Sequence, residues 1–282
     1  MGLRINMNVA SLNAQRNLGN TRISMNKALE KLSSGQRINR AGDDAAGLAI
    51  SENLKAQIKG LGQAERNAED GISLVQIAEG ALGEVSNILI RLRELSVQAA
   101  SDTIGTTERK FLNVEFEQLT SEIDRIANST EFNRVPLLNG TGAVFDIQIG
   151  TRNDPISDRL TFDASSADVN VAALGLNLAS VSDKISAQNS LTSIDQAIIS
   201  VSGIRADFGA LQNRLQSTVN NIQVSIENLA SANSRVRDTD VAAETAELTK
   251  QNILMQAGTS VLSQANSSTN SALSLIQAAS QR

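Results

Sequence analysis

The sequence predicts a mainly α-helical protein: a long antiparallel helical bundle or coiled-coil rod, with a small β-hairpin region and terminal helices that pair as a coiled coil. Apolar residues recur every seven positions over long segments, which is the pattern of packed seams between helices. Both prolines, Pro136 and Pro155, lie in one central segment, so the heptad runs contain no helix breaker. Only 2% of the residues are aromatic, and small or medium aliphatic side chains suit close helix–helix contact.

The composition excludes several classes of function. The chain has no Cys and no His, so it lacks thiolate chemistry and the commonest general base and metal ligand. A net charge of −5 argues against a nucleic-acid partner. No apolar run approaches the roughly 20 residues of a membrane span, and the first residues lack the apolar core of a secretory signal peptide. We expect no enzyme, no cofactor and no membrane insertion.

The first 32 residues predict an amphipathic helix from Val9 to Leu32. Its apolar positions are mostly three, four or seven apart and are expected to form one face. Many Asn residues occupy the remaining positions, and Asn is a poor residue for a helix interior. We therefore expect an arm that becomes ordered only against a partner, although an ordinary amphipathic helix is the alternative.

The segment Ser33–Ile50 has the densest cluster of Gly, Arg and Asp in the chain. Gly35 and the two preceding serines can end the first helix, and Asp43 or Asp44 can cap the next one. Arg37 and Arg40 lie within a few residues of both aspartates, which predicts local ion pairs. A capped joint between two helices is the simpler interpretation. Catalysis by paired carboxylates is disfavoured, because adjacent side chains on a helix do not converge and no third ligand is nearby.

Residues 44–135 predict helices of the rod. One long helix is expected over 44–100, since apolar residues recur every seven positions, and a break is expected near Ser101–Thr107. A further amphipathic helix should follow the break. The heptad positions are Leu54, Leu61, Ala68, Val75, Leu82 and Leu89.

Residues 136–189 predict a β-hairpin and loop region. Asn139-Gly140 is a turn signal, and the alternation of apolar and polar residues over Val144–Gly150 predicts a strand. Arg159–Asp163 is the candidate return strand. A loop with a short apolar piece at Val171–Leu178 should follow.

Two more helices are predicted after this region. Residues 190–239 should form one long helix, antiparallel or parallel to the 44–100 helix, because apolar residues are seven apart from Ile194 to Val236. Thr239 or Asp240 can cap a last helix over 240–282. Small residues that include Gly258 and Ala265 follow its heptad positions by three, so another helix can come close to it.

Three motifs stand out: NMNVASLNAQRNL near the start, KLSSGQRINRAGDDAAGLAI in the Gly/Arg/Asp segment, and NLASANSRVRDTDVAAETAELTKQNILMQAGTSVLSQAN near the end. With these motifs the chain resembles bacterial flagellin over nearly its whole length. Fewer residues follow Asn139 than in larger flagellins, which implies a short form with only the filament core domains.

The resemblance implies a structural subunit that self-assembles into the helical flagellar filament. Residues 1–43 and 240–282 would form the paired helices of the inner core, and residues 44–135, 136–189 and 190–239 the outer layer. The inner core would pack through Leu12, Leu18, Met25, Leu248, Met255, Leu262 and Ile276. The segment with Arg37, Arg40, Asp43 and Asp44 would be the spoke that joins the two layers. A hook–filament junction protein, or another helical scaffold, is the alternative.

The resemblance also implies partners and a location. The filament is extracellular, and the family is exported through the flagellar type III apparatus without a cleaved signal peptide. An export chaperone would bind the C-terminal arm, and hook-associated proteins would contact the filament. A vertebrate innate immune receptor would contact the matched positions Arg91, Leu95, Gln98 and Glu115. The alternative for these positions is that Leu95 packs in the filament interface and that Arg91 is a solvated or subunit-bridging charge.

Overall fold

A computed structural model of the chain describes residues 7–280, except the side chains of residues 269, 270 and 272–280. Within this range the chain forms five α-helices and two small antiparallel sheets. The helices are α1 (Val9–Ser34), α2 (Ala45–Ala100), α3 (Thr106–Ser129), α4 (Lys184–Arg237) and α5 (Val241–Ser280). The strands are β1 (Glu131–Phe132), β2 (Val135–Pro136), β3 (Val144–Gln148) and β4 (Arg159–Asp163).

The chain divides into two compact units. The terminal unit comprises residues 1–56 and 229–282, and the central unit comprises residues 57–228. Both divisions fall inside the long helices α2 and α4 rather than at helix ends. The five-part domain organisation expected from the sequence follows the helix ends instead, and it stays a prediction.

The helix ends carry the capping groups that the sequence indicates. Gly35 ends α1 in the left-handed conformation, with φ of 69°, which glycine adopts without steric cost. The Asp240 carboxylate accepts hydrogen bonds from two N–H groups in the first turn of α5. Helix α4 begins at Lys184, six residues before the predicted start, because Asp183 accepts hydrogen bonds from the N–H groups of Ile185 and Ser186.

Three helices form the core of the central unit, and both α3 and α4 run antiparallel to α2. Arg93 on α2 pairs with Asp195 on α4 at 2.7 Å, and Gln223 on α4 donates a hydrogen bond to Glu65 on α2 at 2.7 Å. Residues late in α2 thus contact residues early in α4, so the two helices are antiparallel. The α3 helix runs back along α2. Burial confirms these positions of the predicted heptads on α2 and α4: Ala68, Val75, Leu82, Leu89, Ile194, Val201, Phe208, Leu215 and Ile222.

The predicted hairpin packs on this core. Strands β3 and β4 pair antiparallel, with Phe145 opposite Phe162, and the Phe162 ring lies 4.9 Å from the Phe208 ring on α4. On α2, a Cβ at Gly71 would lie 2.6 Å from Cδ1 of Ile147. The absence of a side chain at Gly71 therefore lets strand β3 approach the helix.

A second, shorter hairpin was not expected from the sequence. Strands β1 and β2 pair through Phe132 and Val135, and the two residues between them, Asn133 and Arg134, both have positive φ. This is the backbone of a type I′ turn, in which Gly usually follows Asn. Because Arg takes the place of that Gly, the sequence carries only half of the usual signal.

Arg109 closes the joint between α2 and α3. It is 8% exposed, and its guanidinium donates hydrogen bonds to the carbonyl oxygens of Ala99 and Ser101, each at 2.8 Å. The last carbonyls of a helix lack partners within the helix and attract positive charge. Arg109 supplies both the donors and the charge at the end of α2.

Replacing Phe208 with Ala should destabilise the central unit by about 3–5 kcal/mol, because the side chain is 1% exposed and contacts Phe162. Urea unfolding followed by circular dichroism measures the change. Phe111→Ala is the matched control, since Phe111 is 71% exposed and its loss should leave stability almost unchanged. Equal effects of the two substitutions would contradict this description of the core.

Candidate assembly site

Helices α1 and α5 pair antiparallel in the terminal unit. Asn8, before the first turn of α1, donates a hydrogen bond to the Ala265 carbonyl at 2.9 Å, and Lys31 near its end pairs with Glu244 at 3.5 Å. Between these contacts, Leu18 lies so close to α5 that a Cβ at Gly258 would be 2.8 Å from Leu Cδ2. The expected close approach at Gly258 is therefore present.

The predicted inner-core residues fall into three groups. Leu12 is exposed, with 52% of its surface open to solvent. The side chain of Ile276 lies outside the described residues. The others are half-buried on the paired helices: Leu18, Met25, Leu248, Met255 and Leu262. Packing in a filament core stays a prediction for all seven.

The structure corrects the expectation of a single apolar face on α1. Val9, Leu12 and Ile23 are 55%, 52% and 58% exposed. Leu12 and Ile23 are eleven residues apart, about three helical turns, and therefore point the same way. Leu18 follows Leu12 by about one and two-thirds turns and points elsewhere, toward α5. Helix α1 thus carries a second, exposed apolar stripe, which we call the α1 stripe: Val9, Leu12 and Ile23.

Helix α5 also exposes large apolar side chains. Ile253 is 61% exposed, Leu254 is 45% exposed and Val261 is 58% exposed. Leu254 and Val261 are seven residues apart and lie on one side of the helix. Both paired helices therefore keep apolar surface in contact with solvent.

The spoke segment, residues 35–44, is fixed to the joint between α4 and α5. Gln36 and Asp238 form an isolated antiparallel bridge. The Arg37 N–H donates to the Arg237 carbonyl, and the Thr239 N–H donates to the Gly35 carbonyl at 3.0 Å. Ile38 is 2% exposed, so one large apolar side chain anchors the segment.

Arg237 is a central residue of this joint that sequence reasoning missed. Its side chain is 15% exposed and pairs with Glu52. It also donates hydrogen bonds to the side chains of Gln36 and Ser51. Arg237 thereby links the end of α4, the spoke segment and the first turns of α2. Heptad analysis gives no signal for such a residue, because its partners lie about 185–201 positions away.

The prediction of ion pairs between the arginines and aspartates of the spoke segment was wrong. Arg40 pairs with Glu30 on α1 at 2.9 Å, and Arg37 donates a hydrogen bond to the Val236 carbonyl at 2.7 Å. The aspartates accept backbone N–H groups instead. Asp44 caps α2 through the Gly47 N–H at 2.8 Å, as expected for a helix start.

Asp43 closes the turn before this cap. Its carboxylate accepts hydrogen bonds from the N–H groups of Arg40 at 3.1 Å and Asn39 at 3.3 Å. These bonds, the Arg40 bond above all, hold the pKa of Asp43 below its ordinary value, with help from the positive charges of Lys27 and Lys31 and against partial desolvation.

The four positions matched to receptor contacts lie in the central unit. Arg91 pairs with Glu115 at 2.8 Å and with Glu94 at 3.0 Å, and these pairs, with the Glu94 bond the larger effect, raise the pKa of Arg91. Gln98 is exposed. Leu95 is only 1% exposed and belongs to the core. Leu95 therefore offers no surface to a receptor in this structure, and Arg91 is bonded within its own chain.

Residues 7–280 contain neither a candidate metal site nor a candidate membrane span. No group of three or more acidic residues in this part of the chain is placed to hold a metal ion. No helix there is both long and apolar enough to cross a membrane.

Comparison with known proteins gives a consistent result. Residues 5–143 match the family model described as the bacterial flagellin N-terminal helical region, and residues 191–276 match the bacterial flagellin C-terminal helical region. A flagellin of Halalkalibacterium halodurans is 45% identical, with 97% of this chain and 99% of that protein covered.

Two further comparisons agree. The flagellar filament 33 kDa core protein of Treponema phagedenis is 44% identical over 97% of this chain and 99% of its own. The crystal structure of Bacillus cereus flagellin is 35% identical and superimposes with a TM-score of 0.50, over 60% of this chain and 94% of that chain. The alternative of a hook–filament junction protein is not better supported.

Acid should weaken the turn that Asp43 closes. Because the native pKa lies below the unfolded value of about 3.9, the carboxylate stabilises the turn above about pH 4. This contribution is lost as the pH falls through the native pKa. The amide NMR shifts of Asn39 and Arg40 should follow that titration. In Asp43→Asn, which keeps an acceptor oxygen, the step should vanish; its persistence would assign the titration to another group.

Proposed function

The chain belongs to the bacterial flagellin family, and we propose that neighbouring copies of it pack through the α1 stripe. As a member of that family it is a structural subunit of the extracellular flagellar filament used in swimming. Flagellins are structural proteins and not enzymes, and they self-assemble into filaments. The proposal concerns which surface of this chain makes the contact. It rests on the exposure of Val9, Leu12 and Ile23 on a side of α1 that does not face α5.

The charge around the stripe also favours a specific contact. Arg16 lies four residues after Leu12, and Lys27 lies four residues after Ile23, so both belong to the same side of α1 and both are exposed. Three apolar side chains bordered by cations suit a neighbouring surface that is apolar at its centre and acidic at its edge. Glu247 near the start of α5, with a side chain that is 41% exposed, supplies an acidic group within a second copy.

Contacts between different surfaces of identical chains produce an open helical polymer when the operation that relates them does not close. The α1 stripe of one copy and the exposed α5 residues of another, Leu254 and Val261, are two such surfaces. Each large apolar side chain that becomes buried contributes about 1.5–3 kcal/mol, which offsets the entropy lost on ordering the helices.

In this proposal the spoke segment sets the position of the paired helices. Arg37, Arg40, Asp43 and Asp44 act through their bonds to Val236, Glu30 and nearby backbone amides. These contacts hold the start of α2 beside the joint between α4 and α5, all within the terminal unit. Assembly should therefore depend on these four residues even if none of them contacts a second copy.

The family also suggests partners that act before and after assembly. Export through the flagellar type III apparatus without a cleaved signal peptide would deliver the subunit. A chaperone at the C-terminal arm would cover the exposed α5 residues Ile253, Leu254 and Val261 before export. Hook-associated proteins would provide the first contact for the growing filament.

A vertebrate innate immune receptor is a second candidate partner, through Arg91, Gln98 and Glu115. Gln98 and the Arg91–Glu115 pair are exposed, and the burial of Leu95 limits that residue to a supporting role. Arg91→Ala and Gln98→Ala should reduce receptor activation without loss of stability. Leu95→Ala should instead destabilise the central unit by about 2–5 kcal/mol.

A cell reporter of receptor activation, read together with urea unfolding, separates these effects. Unchanged activation by the Arg91 and Gln98 variants would contradict this surface as the contact.

Placing a charge in the α1 stripe should stop assembly. Ile23→Glu puts a carboxylate on the exposed side of α1, where it would be buried without a partner in the polymer. Fibre growth from seeds, followed by light scattering and electron microscopy, should fall by at least tenfold. Circular dichroism of the monomer should not change.

The matched control is Ser24→Glu, which adds the same charge one residue away, at an exposed polar position outside the stripe. This variant should still form fibres. Normal growth of the Ile23 variant would contradict the role of the stripe.

A further inference from the structure

Thioether sulfur is the side-chain group of this chain most open to two-electron oxidation. The sequence has no Cys, Trp, Tyr or His and four Met residues. The chain therefore lacks the side chains that usually compete with methionine for hydroperoxides. An oxidant would act on Met before any other residue type here.

The four Met residues are not spread over the chain. Met1, Met7, Met25 and Met255 all belong to the terminal unit, and the 172 residues of the central unit contain none. The core of the central unit is built from Leu, Ile, Val, Ala and Phe. Oxidation would therefore leave that core chemically intact.

Two of these residues lie on the paired helices at positions that packing depends on. Met25 is half-buried and follows Leu18 by seven residues, so it lies on the same side of α1. Leu18 is the residue that packs against Gly258. Met255 is half-buried three residues before Gly258, in the heptad line of Leu248 and Leu262. Met7, in contrast, is 68% exposed.

We propose that Met25 and Met255 are oxidation sites that control assembly of this chain. A hydroperoxide transfers one oxygen atom to the thioether sulfur, which gives a sulfoxide, while the peroxide is reduced to water or an alcohol. Because both residues are only half-buried in the single chain, we expect an oxidant to reach them in the free subunit. Oxidation places a polar S=O group on the side of each helix that packs against the other.

The expected effect is selective because the two units differ in composition. A sulfoxide between α1 and α5 must either lose its hydrogen bonds to water or separate the helices. Either outcome disturbs the pairing of α1 with α5, and with it the position of the α1 stripe on which the proposed assembly rests. The central unit, without Met, keeps its helices and its stability. The inference rests on the proposed function, since it assumes that the terminal unit mediates assembly.

The test compares free subunits with and without hydrogen peroxide, in seeded fibre growth and in circular dichroism. Mass spectrometry counts the oxygen atoms added to each Met. Unoxidised wild type should form fibres, and its failure to do so would contradict the proposed function instead of this inference. Oxidised wild type should grow fibres at least tenfold more slowly while urea unfolding of the central unit stays unchanged.

Variants assign the effect to residues. Met25→Leu with Met255→Leu conserves side-chain volume, and peroxide should not slow its fibre growth relative to the same variant without peroxide. Met7→Leu is the matched control, and it should remain as sensitive as wild type because it keeps both packed sulfurs. Loss of sensitivity in the Met7 variant, or continued sensitivity of the double variant, would overturn the assignment.

A second measurement does not depend on the variants. Methionine sulfoxide reductase reverses the modification, so treatment of oxidised wild type should restore fibre growth. Full assembly of wild type that carries sulfoxide at both Met25 and Met255 would overturn the proposal, as would a failure of the reductase to restore growth after the sulfoxides have been removed.

Discussion

The packing of α1 against α5 involves mainly small side chains. The buried residues of α1 are Ser11, Ala14 and Ala28, and across the described side chains of the terminal unit the large buried apolar residue is Ile38. Leu18 comes close to α5 because Gly258 has no side chain. The helices therefore approach closely but remove little apolar surface from water.

The energetic consequence follows from the size of those side chains. Fixing the backbone costs about 1–2 kcal/mol per residue, and a fully buried Leu or Phe returns about 1.5–3 kcal/mol. The central unit meets this cost with many large buried side chains, such as Leu82, Phe116 and Phe208. The terminal unit has few. Its exposed Val9, Leu12 and Ile23 gain their stabilisation only when another surface covers them.

The spoke segment makes this arrangement specific. The backbone bonds of Arg37 and Gly35 to the joint between α4 and α5, and the contacts of Arg237, fix how the terminal helices leave the segment. In the proposed assembly, this short stretch of chain would link folding to assembly. Every Met of the chain belongs to the terminal unit. On the proposed function, oxidation of these residues would affect assembly before it affects the central core.

The sequence predicted the elements that depend on local pattern. The heptads of α2 and α4, the hairpin of β3 and β4, and the caps at Gly35 and Asp240 follow from periodicity and turn chemistry. The short β1–β2 hairpin was missed because Arg134 occupies a position that usually holds Gly.

The errors in the candidate site concern contacts that no local pattern encodes. Arg40 forms an ion pair with Glu30 and not with the aspartates that are nearer in the sequence. The partners of Arg237 are 185–201 positions away in the sequence. The one-face interpretation of α1 failed because its apolar residues, taken together, fit two sides of a helix. Leu95, predicted as part of a receptor contact, lies on the side of α2 that is buried in the core of its own chain.

Amide hydrogen exchange of the free subunit and of the filament tests the central claim most directly. The account predicts that α1 and α5 exchange at least a hundredfold faster than the middle of α2 in the free subunit, and that they become strongly protected in the filament. The central unit should be protected in both states. Protection of α1 and α5 equal to that of α2 in a dilute free subunit would show that the terminal helices do not need neighbouring copies, and would contradict the account.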